Sequence, residues 1–259
     1  MTSATFEDLA TYLNADQTPR VWSLLVTVFG ELAQEDGSKI SGALLGKLTG
    51  LMGVKPEAMR VALHRLRKDG WIESERHGRT STYFLTDWGR AQSAEATPRI
   101  YVLAAVTAKA SLVVCDPSIP VSKTSTHDAW INSSLVLTTK PEKFEQVFAM
   151  QTGKDAPLPG WIQQKICKPE LSQLIHTFAK QLERLEAATA ASPKLSNLEI
   201  SALRVLIVHG WRRIALRTPS LPDEVFPSAW AGKKCRESVA TILESYPHCT
   251  LSELEASLL

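Results

Sequence analysis

The chain has little that would staple it, carry it across a bilayer or equip it for catalysis. Its four cysteines, Cys115, Cys167, Cys235 and Cys249, are scattered with no C-x-x-C pair. That argues against a disulfide framework or a zinc knuckle and fits a reduced, cytoplasmic chain. The most apolar stretch, residues 101–115, is interrupted by Lys109 and is too short to span a membrane comfortably. The start leads into Glu7 and Asp8 instead of a basic and then apolar run, so no secretory signal is expected. There is no P-loop, Gly-rich dinucleotide fingerprint, nucleophile elbow or H-E-x-x-H helix. No enzyme and no cofactor are therefore expected. Asp116 and Asp128 come nearest to the metal ligands of a nuclease, and isolated acids in a loop are more often solvated. The excess of positive charge is also small overall, at net +2, so bulk composition says nothing about nucleic acid.

What is present is local. The segment 56–86, PEAMRVALHRLRKDGWIESERHGRTSTYFLT, sets a helical period, a glycine stop and a strand–turn–strand in succession. Pro56 suits a first helical position, where a missing N–H costs nothing. Met59, Ala62, Leu63 and Leu66 recur at helical spacing and predict a buried stripe. Val61, His64 and Lys68 fall opposite, with Arg60, Arg65 and Arg67 on the flanks, and Gly70 ends the helix. Trp71-Ile72 and Tyr83-Phe84-Leu85 flank a turn at His77-Gly78, which predicts a hairpin with Arg76, Arg79 and Thr80 at its tip. Residues 55–90 carry net charge +3 and residues 1–54 carry −3, so the cations are focused on this unit. A helix, stop and basic hairpin after two earlier helical segments point to DNA binding of the helix-turn-helix kind. The expected contacts are Lys55, Arg60, His64, Arg65 and Lys68 on the helix, and Arg76, Arg79 and Thr80 on the hairpin. Arg65 admits a second reading, as an internal partner of Glu57 or Glu73.

At 259 residues and 44% hydrophobic, the chain is long enough for two or three domains. Residues 21–33 predict an apolar helix beneath the basic unit and residues 42–52 a second one. Thr86 is placed to cap a further helix ending near Ala96, with a boundary at Thr97-Pro98. The middle third predicts strands at 101–106, 111–115 and 134–139 and a helix over 142–151, an α+β pattern with a small sheet. After Pro169, a stripe of Leu171, Ile175, Phe178, Leu182 and Leu185 reads either as a dimer seam or as a face buried in its own domain. Ser196-Asn-Leu-Glu199 is a capping box. The helix it opens ends in Arg212, Arg213 and Arg217, which either complement its C-terminal dipole or bind an anion.

Two blocks together resemble the PaaX family of bacterial repressors of aromatic-acid catabolism. One is RVWSLLVTVFGELA followed by VKPEAMRVALHRLRKDGWIESERHGRTSTYFLTDWG and RIY; the other is LRVLIVHGWRRIALRTPSLPDEVFPSAWAG at 203–232. The resemblance implies a mainly α protein with an α+β centre. In chain order it implies a winged helix-turn-helix (1–97), a small ferredoxin-like central module (98–168) and a helical C-terminal domain (169–259). It also implies a homodimer on a palindromic operator of double-stranded DNA, released by an acyl-CoA such as phenylacetyl-CoA. Arg60, Arg65 and Lys68 match basic positions of the family's reading helix, and Arg76, Gly78 and Arg79 its wing. The centre departs from the pattern: residues 102–110 read VLAAVTAKA where members carry a tryptophan-containing motif. For an acyl-CoA, the expected partners are Arg212, Arg213 and Lys233, with Lys234, for phosphates, and Trp161, Trp211 and Trp230 for the acyl group. A DNA-binding protein without an effector is the alternative.

Overall fold

A computed structural model describes residues 4–14, 20–78, 80–116, 118–119, 125–153, 156–189 and 194–258. In chain order the elements are α1 (Ala4–Asn14), α2 (Val21–Leu32), β1 (Ile40–Ser41), α3 (Gly42–Leu51), α4 (Pro56–Lys68), β2 (Ile72–His77), β3 (Thr80–Leu85) and α5 (Asp87–Tyr101). Then come β4 (Ser111–Val114), β5 (Asp128–Trp130), β6 (Leu135–Thr138), β7 (Phe148–Gln151) and α6 (Gly160–Ile166). The chain closes with α7 (Pro169–Thr189), α8 (Asn197–Ala215), α9 (Gly232–Ser245) and α10 (Leu251–Ala256). The fold is mainly helical, with a small central sheet and separate helical regions.

The compact units cut across the chain-order division into 1–97, 98–168 and 169–259. One unit gathers the chain up to Val102 with Lys180–Arg212 and the residues from Ser238 onward; the other holds Leu103–Ala179 and Arg213–Glu237. The C-terminal helices are thus shared between the two.

In the first unit α2 is the hub. Leu24 through Phe29 are buried without a break, as expected of a helix apolar on all sides. Two polar links fasten distant segments to the N-terminal helices. Glu31 is paired with Arg204 of α8 at 2.7 Å, and Arg204 Nη1 donates to the carbonyls of Leu243 (3.0 Å) and Tyr246 (2.6 Å). Ser41, which caps α3 by accepting from Leu44 N–H, gives its own N–H and hydroxyl to the Glu255 carboxylate of α10.

The α4 stripe forms as its periodicity predicts: Met59, Ala62, Leu63 and Leu66 are buried. Gly70 takes φ +75°, and Trp71 N–H returns to Leu66 O at 2.9 Å, closing the helix end. β2 and β3 pair antiparallel in the register His77↔Thr80 to Ile72↔Leu85, and β1 adds to the far side of β3. Thr86 caps α5 by accepting from Gly89 N–H and donates to Gly70 O at 2.6 Å, tying the hairpin's end to the helix stop. Gly89 is required there, because a Cβ would lie 2.2 Å from Trp71 O.

In the second unit the sheet runs β5-β6-β4-β7, antiparallel throughout. One face packs Val113, Cys115, Val136 and Phe144 with Trp130 and Val147. The strand order is that of a ferredoxin-like module, which places a helix in each crossover. Here the β6–β7 crossover holds only a 3-10 turn, Pro141–Lys143.

Several expectations are corrected. The helix expected over 142–151 is replaced by that turn and by strand β7. Phe144 is drawn into the core, Gln146 adopts φ 49°, and pairing with β4 captures the rest, so sheet formation overrides local propensity. The strand expected at 101–106 is absent and β5 was missed. Helix α5 continues past Ala96 through Pro98 to Tyr101, so Thr97-Pro98 is no boundary. Pro98 lies in the last turn, where it still accepts from Val102 N–H. The Leu171–Leu185 stripe is buried within this one chain, which decides against its being a seam between copies.

Candidate nucleic-acid interface

Helix α4 buries one side and leaves the other to solvent. Lys55, Arg60, His64, Arg65, Arg67 and Lys68 are all exposed, and Val61 is 70% exposed. A bare valine amid cations on a rigid helix is an apolar contact point of the kind that meets a thymine methyl. Arg60 approaches Glu57 only to 3.9 Å with both side chains about three-quarters exposed, a pair weak enough to exchange.

Arg65 differs from its neighbours. It pairs with Asp69 at 3.5 Å, and its guanidinium lies 5.7 Å from the centre of the Trp22 ring. Trp22 in turn donates to Asp69 at 3.2 Å. The partner is Asp69 at the end of its own helix, not Glu57 or Glu73, and the Arg65 side chain stays exposed. On the hairpin, Arg76 is exposed and its Nε donates to Gly78 O at 3.1 Å, bracing the turn. Thr80 is exposed at the start of β3. Arg79 lies outside the described residues.

Sequence reasoning missed an aromatic column supporting this surface. Trp22, Trp71 and Trp88 meet edge to face at 5.8 and 5.1 Å. Each such contact contributes about 0.5–1.5 kcal/mol beyond area burial. Trp71 is the residue after the α4 stop, so the column holds the helix end and the hairpin root together. Lys39 was also overlooked; it bridges to Glu75 at 2.6 Å and lies over Phe84, bracing the hairpin from β1's side. Three tryptophans bracketing the unit were the available signal.

The six residues expected to hold an effector divide between the two units. Trp211 is buried, and its indole N–H is committed to Ile100 O at 3.0 Å, so it offers no free face to a ligand. Arg212, also in the first unit, donates to Ser23 O and Thr27 Oγ1, both at 3.3 Å, and burial lowers its pKa. It therefore does not cap its own helix end. In the second unit Trp161 is 55% exposed, Trp230 stacks on Phe226 at 4.3 Å, and Lys233 is exposed with Glu237 at 3.9 Å. Arg213 is half-buried there and has partners of its own.

The acids considered for metal chemistry are held elsewhere. Asp128 is buried between Lys143 and Thr138, and Asp116 accepts from Ser118, which lowers its pKa. Among the described residues no cluster of three metal-ligating side chains occurs. No helix among them is long and apolar enough to cross a membrane.

An exposed cationic helix backed by a fixed apolar face and a basic hairpin defines a class, that of DNA-binding transcriptional regulators. Residues 20–89 match the PaaX-like protein family and residues 168–250 the PaaX-like protein C-terminal domain. The transcriptional repressor PaaX of Escherichia coli strain K12 is 26% identical over 261 aligned residues, covering 86% of this chain and 79% of that protein. An uncharacterized protein from Mycobacterium tuberculosis superposes with a TM-score of 0.45 at 16% identity, over 91% of this chain and 97% of that one. The chain belongs to the PaaX family of transcriptional regulators. Regulators of this family bind DNA and are not enzymes, and no reaction is assigned to this chain.

Proposed function

We propose that this chain is a repressor that binds a palindromic operator as a homodimer and leaves it when an acyl-CoA is bound. The observation that carries the DNA-binding part is the solvent face of α4. Arg60, His64 and Lys68 stand with Val61 on one exposed strip, while Met59, Ala62, Leu63 and Leu66 lock the opposite strip in place. A winged helix-turn-helix would lay that strip in a major groove, with Lys55 and Arg76 on flanking phosphates and Arg79 and Thr80 at the wing tip. An arginine fork on a guanine edge contributes roughly 1–3 kcal/mol of discrimination.

For the effector, the exposed Trp161 and Lys233 with Lys234, Arg213 and Trp230 provide aromatic and cationic chemistry within the second unit. A thioester that binds the operator-free geometry more tightly shifts the population away from DNA. The four free, buried cysteines agree with action in a reducing cytoplasm. The test is a mobility-shift titration of the protein on the promoter of its own operon, with and without phenylacetyl-CoA and aliphatic acyl-CoAs. A single retarded band whose stoichiometry is two chains per duplex, released by a thioester, is expected. Retention of the band with every thioester removes the effector and leaves the DNA reading standing.

A further inference from the structure

Val61 is as open to solvent as any large apolar side chain among the described residues, and it stands at the sixth position of α4. Its direction is fixed. Pro56 opens the helix and Met59 N–H closes on Lys55 O at 3.1 Å, while Met59, Ala62, Leu63 and Leu66 anchor the inner side. At about 100° per residue those four centre roughly 150° around the helix from Val61, so the valine points almost straight outward. A β-branched side chain in a helix has one strongly preferred rotamer, so little freedom is lost when a partner packs on it. The fold gains little from this valine, since it lies outside the core and alanine is the better helix former at an exposed position.

The neighbours of Val61 on the helix surface show what that surface suits. Glu57 lies one turn earlier on the same outward line, about 40° away, with its side chain 75% exposed. Cations stand beside that line, Arg60 and His64 to one side and Arg65 to the other, with Lys68 beyond it. A phosphate offers a valine nothing and repels a glutamate. Base edges in the major groove offer each a partner: the 5-methyl group of thymine for the valine, the N4 amino group of cytosine for the carboxylate. The outward line of the first two turns therefore suits base edges and the cations around it suit phosphates, the division between reading a sequence and being positioned on it.

We propose that Val61 is a specificity-determining residue of α4, its methyl groups packing on the 5-methyl of an operator thymine. Cytosine lacks that methyl, so one apolar contact tells the two pyrimidines apart. The proposal rests on the regulator reading and adds to it the base that this position selects.

The experiment is fluorescence anisotropy on the promoter duplex with thymines replaced one at a time by deoxyuridine. Uracil keeps every hydrogen-bonding group of thymine and lacks only the methyl. At one thymine of the operator, or at its symmetry mate, the change should weaken wild-type binding by about fourfold, as loss of one buried methyl group implies. Val61→Ala should bind the unmodified duplex more weakly by a similar factor, and the same deoxyuridine should then have a much smaller effect. Its Tm should equal or exceed that of wild type, which separates lost reading from lost folding. Deoxyuridine tolerated at every position, an effect as large in Val61→Ala as in wild type, or a Tm that falls with the substitution overturns the assignment. Tight wild-type binding together with any of those results refutes this assignment alone. Failure of wild type to bind any promoter duplex refutes the regulator reading itself, and the assignment with it.

Discussion

Replacing Arg204 by methionine removes the cation that joins α8 to α2 and to the chain's C-terminal helices. The Glu31 side chain is 2% exposed and that of Arg204 10%, with 2.7 Å between them. Losing one partner strands the other as a buried charge, which destabilises by about 3–5 kcal/mol. The same change orphans the Leu243 and Tyr246 carbonyls that Arg204 Nη1 serves. For a chain of this length, about 1 kcal/mol moves the Tm by roughly 2–4 °C, so a fall of roughly 6–20 °C is expected. Differential scanning calorimetry of Arg204→Met, Glu31→Leu and the double variant measures it. The double variant should be less damaged than the sum of the singles, because the stranded carboxylate is gone, while the two orphaned carbonyls keep it below wild type. A drop under about 2 °C for Arg204→Met, or strict additivity, would refute the view that this pair fastens the N-terminal helices to the C-terminal ones.

Tyr101 gives an alkaline signature. Burial, with Glu31 beside it, raises its pKa above the ordinary value of 10.0. The neutral form is favoured in the fold, so its contribution is complete below that value and is lost as pH rises past it. Urea midpoints should decline above pH 10 in wild type and decline less in Tyr101→Phe. Gly89→Ala should lower the Tm markedly, since its Cβ would lie 2.2 Å from Trp71 O and α5 must shift to admit it. Arg65→Ala should weaken DNA binding less than Arg60→Ala and should lower the Tm instead, because Arg65 is engaged with Trp22 and Asp69; anisotropy and calorimetry on the same samples separate the two effects.

The basic unit was legible because its signals are local. The period of Met59, Ala62, Leu63 and Leu66, the glycine at 70 and the turn at 78 each act within a few residues, and each formed as read. The Ser196–Glu199 capping box was equally visible and is present, with Ser196 N–H on Glu199 Oε2 at 2.8 Å. The sheet was less legible because β7 exists only by pairing with β4, more than thirty residues earlier; nothing within residues 142–151 announces it. The arrangement of the C-terminal arginines was illegible for the same reason. Arg204 and Arg212 both meet α2, 173 and 189 residues away along the chain, and only the folded structure shows that, among the described residues, one is paired with a carboxylate and the other is not. The tryptophan column was countable in composition, but its geometry was not.

The central claim is that the exposed face of α4 grips a DNA duplex. Fluorescence anisotropy with the promoter duplex, repeated across a series of potassium chloride concentrations, tests it most directly when wild type is set against Arg60→Ala/Lys68→Ala. The double variant is expected to bind more weakly and to show a log–log salt dependence shallower by about 0.9 for each phosphate it no longer neutralises. Equal affinity and equal salt slope in the two proteins, both folded, would contradict it.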